Sequence, residues 1–434
     1  MRPIVIVEPT LPSTWGSCQT IIPNLVEMYR HFATENLEVV EYSRESTSLQ
    51  VLATAHKIRA LDPSHLVFVD HQKHPTELLA ALYFVYARKA WPKIIIHVYG
   101  DFTLFTAQWA MCEGLLRDRV IHFVCASPRQ EKMIAAFIQG GRKYTSVCPF
   151  PVLEADFKFA KGLRESERRR RGLSHGEFVM IYTGRLSLQK NILKMVIETA
   201  RAAEKLGLNW RFLLAGSFDD IGSPFFGVRL APGGYYQGFL KLLRTLAPEV
   251  RKRIEFLGAL DKRELKALYH AGDLFVSFST HHDEDYGMSP VEALACGVPA
   301  LISDWGGFGG FAIDLESVTL MPVSLGGSGP QLDTARLTES LQSIQQRACS
   351  SHGDDRARRS AQFLKEFGLA SAAEKIEAVV PRLELKFKGF TPLLRRHSKL
   401  IRQWPHSGRI YKIGKRLDLN YKTIYRNYLN ETGI

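Results

Sequence analysis

The feature that most constrains this chain is a rhythm of short β-prone runs alternating with amphipathic helical stretches, played through twice. In the first half, apolar runs at residues 3–7, 66–69, 93–98 and 120–124 read as strands. Helices follow from about Thr20, after a loop over 9–16, and over residues 77–88. In the second half the strand runs are 178–182, 211–214, 253–257, 274–278 and 299–302, with a helix after Lys190. Strands this short and this poor in polar residues are covered on both faces, which is the condition of a parallel, doubly wound α/β sheet. A chain of 434 residues exceeds one ordinary core. The expected organisation is an N-terminal α/β domain over 1–160, a second over 174–375, and a helical extension over 376–434. A Gly- and Phe-rich stretch, 221–238, is expected to be a long loop.

Charge separates the extension from the body. Residues 385–434 hold 12 Lys and Arg against two acidic residues, so +10 of the net +13 lies there and the remainder is nearly neutral. No apolar run reaches the ~18–20 residues that span a bilayer, and the amino terminus reads as a first strand, not an export signal. The six cysteines, Cys18, Cys112, Cys125, Cys148, Cys296 and Cys349, are scattered, without a Cys-x-x-Cys pair. That usage fits reduced thiols in a cytoplasmic protein.

Three segments of the second half stand at strand ends. In Gly184-Arg185-Leu186-Ser187-Leu188-Gln189-Lys190, the glycine lets the chain turn and two cations reach the loop mouth, where they would neutralise a diphosphate; a solvated basic turn is the plain alternative. In Glu284-Asp285-Tyr286-Gly287-Met288-Ser289-Pro290-Val291-Glu292, Ser289 reads as a helix cap with Pro290 at the first helical position. The N–H groups of Gly287, Met288 and Ser289 would suit a phosphate, and the two carboxylates a sugar diol. Ser289-x-x-Glu292 is equally a capping box. In the third segment, Gly306 and Gly307 would let backbone approach a ligand, and Asp304 is either a ligand contact or a turn residue.

Taken in order, YTGRLSLQKN, LLAGS, IEFLGALDKRELKALYHAGDLFVSFS and EDYGMSPVEALACGVPALISDWGG resemble the retaining family-4 glycosyltransferases, or glycosyl transferases group 1. The resemblance covers roughly 178–310, is looser over 1–150, and is absent from the last 50 residues. It implies a GT-B fold, two Rossmann-like doubly wound domains facing across a cleft, plus the basic helical C-terminal extension. It implies retaining transfer of a hexose-type sugar from a nucleotide-diphosphate sugar to a glycan or lipid-linked acceptor, with no cofactor beyond that co-substrate; no metal is expected, since two cations and a helix terminus would already hold the diphosphate and no Asp-x-Asp triplet is read in the chain. Arg185 and Lys190 would bind the diphosphate, Glu284 the transferred sugar and Glu292 the ribose. Gly184, Gly287, Met288 and Ser289 would line the donor, with Leu257, Gly258 and Leu265 bordering the base.

The amino domain departs from that pattern. The family's V-H-G-D context corresponds here to His97-Val98-Tyr99-Gly100-Asp101, with Tyr99 at the histidine position. The glycine-rich first loop is reduced to Trp15-Gly16-Ser17. Gly16, His97, Tyr99 and Asp101 are therefore the acceptor-side candidates, His97 reading equally as a core histidine.

In the extension, Leu393, Leu394, Leu400, Ile401 and Trp404 share a helical face ringed by Arg395, Arg396, Lys399 and Arg402, ending at Pro405. Ile410, Ile413, Leu417, Ile424 and Tyr428 recur at helical spacing. These helices are expected to dock on the amino domain or to lie peripherally on an anionic membrane. Two alternatives stand beside the enzyme: a non-catalytic nucleotide-sugar binder, and a nucleic-acid binder stacking bases on Tyr411, Tyr421, Tyr425 and Tyr428.

Overall fold

The computed structural model describes residues 2–9, 16–33, 36–43, 45–69, 75–87, 90–98, 100, 102–282, 284–311, 316–350, 353–407, 409–413 and 416–430. The chain divides into two compact units, each assembled from two segments: Met1–Pro151 with Phe367–Ser407, and Val152–Glu366 with Gly408–Ile434.

The first unit is built on six parallel strands, β1 (Ile4–Pro9), β2 (Leu37–Tyr42), β3 (His65–Phe68), β4 (Lys93–Val98), β5 (Ile121–Cys125) and β6 (Thr145–Val147). Their order is β2-β1-β3-β4-β5-β6. Five helices connect them: α1 (Gly16–Ala33), α2 (Ser48–Leu61), α3 (Thr76–Tyr86), α4 (Thr106–Leu116) and α5 (Pro128–Phe137). Local chemistry sets their starts. Thr47 and Gln50 form a capping box on α2, and Ser127 caps α5 ahead of Pro128 at its first position. Helix α1 begins at Gly16, earlier than the sequence suggests, and runs through Pro23. Strands β2 and β6 escape a search for apolar runs because β2 (LEVVEY) is a half-exposed edge and β6 has three residues.

The second unit repeats the plan with β7 (Phe178–Thr183), β8 (Leu186–Ser187), β9 (Trp210–Ala215), β10 (Phe218–Asp219), β11 (Ile254–Gly258), β12 (Leu274–Ser277), β13 (Ala300–Ser303) and β14 (Val318–Met321). The main sheet is parallel in the order β11-β9-β7-β12-β13-β14, while β8 and β10 pair separately. Its helices include α6 (Leu163–Arg170), α7 (Ile192–Lys205), α8 (Gly234–Arg244), α9 (Pro248–Lys252), α10 (Lys262–Ala271) and α11 (Met288–Ala295). Every residue of β7 is buried, as its unbroken FVMIYT run requires.

The 221–238 stretch is not a loop throughout. It holds a 3-10 turn at Pro224–Phe226 and the start of α8. The Asp220 carboxylate accepts from the N–H groups of Gly233 (2.6 Å) and Tyr235 (2.8 Å), satisfying donors at that helix start.

The basic extension is shared between the units. Helix Pro392–Ser407 packs on α4 and α5. Leu394 and Ile401 are buried there, His397 Nδ1 pairs with Thr106 Oγ1 (2.9 Å), and Arg395 pairs with Glu113 (2.9 Å). The helix continues through Pro405 to Ser407, because a proline so near the end removes only one hydrogen bond from the last turn. Arg396, Lys399 and Arg402 point outward. Beyond it, Lys412–Ile413 and Arg416–Leu417 form an antiparallel ladder, so the helical spacing read across 410–417 is not a helix; a short helix follows at Leu419–Tyr425. No helix among the described residues is long and apolar enough to cross a membrane. Cys112, Cys148 and Cys296 are buried thiols whose pKa burial pushes up, to about 11 for Cys112 and about 12 for the other two. The side chain of Cys349 lies outside the described set.

Candidate functional site

Strands β7 and β9 are each followed directly by a glycine and β11 ends in one, and their exits continue the ladder: Gly184 N–H donates to Ala215 O (2.9 Å) and Gly216 N–H to Gly258 O (2.7 Å). A Cβ on Gly216 would sit 1.8 Å from Gly184 O, so no other residue fits that position without moving backbone. The next residues pair again as β8 and β10, with Leu186 opposite Phe218 and Ser187 opposite Asp219. This mini-sheet fixes Arg185. Its Nη1 meets Asp219 Oδ2 at 2.5 Å and its Nη2 meets Gln189 Oε1 at 3.2 Å, while Tyr182 Oη donates to its carbonyl at 3.0 Å.

Lys190 closes a 3-10 turn, and the next residue, Asn191, donates its side-chain amide to Phe278 O (3.2 Å), tying this loop to the exit of β12. Lys190 Nζ then reaches Glu284 Oε2 at 2.6 Å, joining two segments 94 positions apart. Glu284 is buried and Lys190 mostly so. Breaking such a pair leaves an uncompensated interior charge, which costs about 3–5 kcal/mol.

Glu292 lies in α11. Tyr269 Oη donates to its Oε2 (2.8 Å), and Tyr269 Oη also pairs with Thr183 Oγ1 at the end of β7 (2.7 Å). Burial lifts the Glu292 pKa to about 7 against the lowering effect of the Tyr269 bond. Thus Arg185, through Tyr182, and Glu292, through Tyr269 and Thr183, connect to the terminus of β7, while Lys190 and Glu284 bind each other. Leu257, Gly258 and Leu265 are half-buried.

Helix α11 begins at Met288 with Gly287 as its cap, which has no side chain to offer the first N–H groups. Ser289 is therefore inside the helix, and the capping box with Glu292 does not form. Gly287 has φ 102°, and a Cβ there would meet the Phe308 ring at 2.3 Å. That conformation starts the helix two residues earlier than the Ser289 cap would. Gly306 and Gly307 likewise serve packing within the protein, since Cβ atoms there would lie 2.2 Å from the carbonyls of Glu284 and Asp285. The Gly307 N–H donates to Glu284 O (2.7 Å), and the Asp304 N–H to Met321 O (2.7 Å).

Sequence reasoning misses Asp219, Thr183 and Tyr269. Asp219 announces itself only by following a strand with a glycine just past its end, and Tyr269 only by lying on the buried face of α10. It also passes over Asp283-Glu284-Asp285, an Asp-x-Asp triplet in which Lys190 holds Glu284, Asp285 accepts from Tyr428 Oη, and Asp283 lies outside the described residues. Among the described residues no group of His, Cys, Asp or Glu is disposed to hold a metal ion.

In the first unit, Gly16 opens α1, while Trp15, Tyr99 and Asp101 lie outside the described residues. His97 is a core residue, 1% exposed, pairing through Nε2 with Tyr29 Oη at 2.9 Å. Burial lowers its pKa to about 3. The four tyrosines considered for base stacking, Tyr411, Tyr421, Tyr425 and Tyr428, are fully buried in the second unit, which removes that role from them.

Residues 164–323 match the family described as glycosyl transferases group 1. The two six-stranded sheets are those of the GT-B fold. A D-inositol 3-phosphate glycosyltransferase of Rhodococcus erythropolis is 28% identical over 155 residues, 35% of this chain and 31% of the relative. The chain spans about a third of the length of the curated relatives it matches. Among solved structures, Anabaena HepE in complex with UDP aligns with a TM-score of 0.66 and 16% identity, over 88% of this chain and all of the other. The sucrose-phosphate synthase of Thermosynechococcus elongatus aligns with a TM-score of 0.60 and 15% identity, over 88% and 99%.

Proposed function

We propose that this chain is a retaining, metal-independent glycosyltransferase of family 4 that moves a hexose-type sugar from a nucleoside diphosphate sugar to a glycan or lipid-linked acceptor. The observation that carries the reading is the Lys190–Glu284 contact at 2.6 Å beside Arg185, with the glycine-capped start of α11 following on the same loop. Two cations and the N–H groups of a helix start favour a diphosphate, and an acid held against one of the cations suits the hydroxyls of the sugar it carries.

In the proposed reaction the acceptor hydroxyl oxygen bonds to the anomeric carbon on the face from which the nucleoside diphosphate leaves. The departing phosphate keeps the bonding electron pair and takes the acceptor proton. No side chain forms a bond to sugar. The work of the protein is to stabilise charge growing on the leaving oxygen, through Arg185 and Lys190. Uridine diphosphate sugars are the first donors to try, because HepE, a protein of similar fold, was solved with UDP and with UDP-glucose. The outward row of Arg396, Lys399 and Arg402 supports an anionic membrane surface, on the cytoplasmic side, as the place where a lipid-linked acceptor of polysaccharide synthesis would be met.

Arg185→Ala should reduce turnover of the accepted donor by about 10²- to 10³-fold, on the scale of losing one fixed oxyanion donor. Glu284→Gln should lower turnover while sparing UDP affinity. Activity should survive EDTA. A turnover near wild type in Arg185→Ala would remove the assignment, and activity abolished by EDTA and restored by a divalent ion would reassign the Asp283-Glu284-Asp285 triplet.

A further inference from the structure

Residues 409–430 follow the family-matched segment by more than eighty positions, and their charge marks them as an appendage in the sequence. Their packing says otherwise. The Tyr411 N–H donates to Phe225 O (3.1 Å) and the Leu417 N–H to Gly327 O (2.8 Å), so the segment is stitched to two separate loops of the second unit. Its rings, at Tyr411 and beyond Leu417, pack on the loop that carries Glu284. Tyr411 and Tyr425 meet the His282 ring edge-on, at centroid distances of 5.7 and 5.9 Å. Tyr425 stacks on Trp305 (6.4 Å, 24°), whose indole N–H donates to His281 O at 2.7 Å.

Tyr428 completes the set. Its hydroxyl donates to Asp285 Oδ1, on the residue after Glu284. Its ring edge crowds Gly306, where a Cβ would lie 3.1 Å from Tyr428 Cδ2 and 2.2 Å from Glu284 O. The backbone of Glu284 is therefore clasped by Gly306–Gly307, and Tyr428 both backs that clasp and pins the adjacent carboxylate.

We propose that the described residues 409–413 and 416–430 act as a strap on the Glu284 loop, with Tyr428 a positioning residue that sets the backbone from which Glu284 reaches Lys190. The kinetic consequence rests on the donor role assigned to Glu284; the mechanical one does not.

The test uses the full chain with Tyr428→Phe, which removes the hydroxyl and keeps the ring, and Tyr428→Ala, which removes both. Hydrogen exchange needs no substrate. Amides at 279–288 should exchange about 10-fold faster in Tyr428→Phe and faster still in Tyr428→Ala, with β7 and β9 unchanged, as expected of a local opening. With UDP-glucose as probe, kcat should fall about 10-fold in Tyr428→Phe while UDP affinity stays at the wild-type value, since small misplacements cost rate before binding. Unchanged exchange at 279–288 in both variants overturns the proposal. So does exchange accelerated throughout the second unit, which would make Tyr428 a general stability residue. Local acceleration in a protein that neither binds UDP nor turns over any nucleotide sugar upholds the strap and removes the glycosyl reading instead.

Discussion

The two units share a plan and differ in where they keep their titratable groups. In the first, strand histidines lie inside the sheet: His65, His97 and His122 bond to Val380 O, Tyr29 Oη and Ser146 Oγ. Burial holds their pKa values down, to about 4, 3 and 4. They are neutral packing elements. In the second unit the central strands β7, β12 and β13 hold no histidine or charged residue, and site charges stand beyond strand ends, as Arg185 with Asp219 and Lys190 with Glu284. The same α/β frame thus either absorbs polar groups into its layers or displays them at strand termini, and only the second use offers a ligand charge to meet.

The sharpest way to break that contrast is to remove one member of the displayed pair. Lys190→Ala should destabilise the second unit by about 3–5 kcal/mol, because Glu284 is left buried and charged. Adding Glu284→Gln should return most of that stability without returning activity. A single variant as stable as wild type would mean the pair is solvated and ornamental. Denaturant unfolding of single and double variants measures both.

Glu292 gives the next largest effect. Its folded-state pKa is raised from 4.5 to about 7, so the unfolded chain releases this proton first as pH rises. Its contribution to stability is whole below 4.5 and is lost by the time pH passes 7, a change on the order of 3 kcal/mol. The lowered histidines act with the opposite sign, so the informative quantity is the difference between wild type and Glu292→Gln. That difference should vary with pH across this window, and a flat difference would show that Glu292 does not titrate there.

The smallest effect probes the first unit. His97→Leu leaves the Tyr29 hydroxyl buried without this partner, costing about 1–3 kcal/mol. Transfer by the surviving folded protein should be normal. A loss of kcat exceeding the loss of folded protein would return His97 to the acceptor side.

Most of the sheet framework is legible in the sequence because central parallel strands are unbroken apolar runs, and 93–98 is read to the residue. Edges are less legible. The run 253–257 anticipates edge strand β11 to within a residue, but β2, with two glutamates on a half-exposed edge, the three-residue β6 and the edge strand β14 are missed. The charged members of the site are legible as types at strand ends, but their partners are not. Asp219 finds Arg185 through a two-residue ladder, and Thr183 finds Glu292 through Tyr269, links made by folding across distant segments. Ser289 is misread as a cap because sequence cannot reveal that Gly287 adopts a positive φ and starts the helix earlier. That the tyrosines of the extension are covered is not legible either, because composition reports charge, not what the neighbouring rings cover.

Each unit is closed by chain that is synthesised after most of it. Residues 367–407 rejoin the first unit only once the body of the second has been made, and residues 408–430 rejoin the second after that. A nascent chain halted at Glu366 would hold two sheets, each missing a wall. Domains generally mature in order of emergence from the ribosome; here neither can, and both must wait, aggregation-exposed, for the same late stretch of translation. Cutting the chain at residue 384 would accordingly open both units at once, not trim a tail.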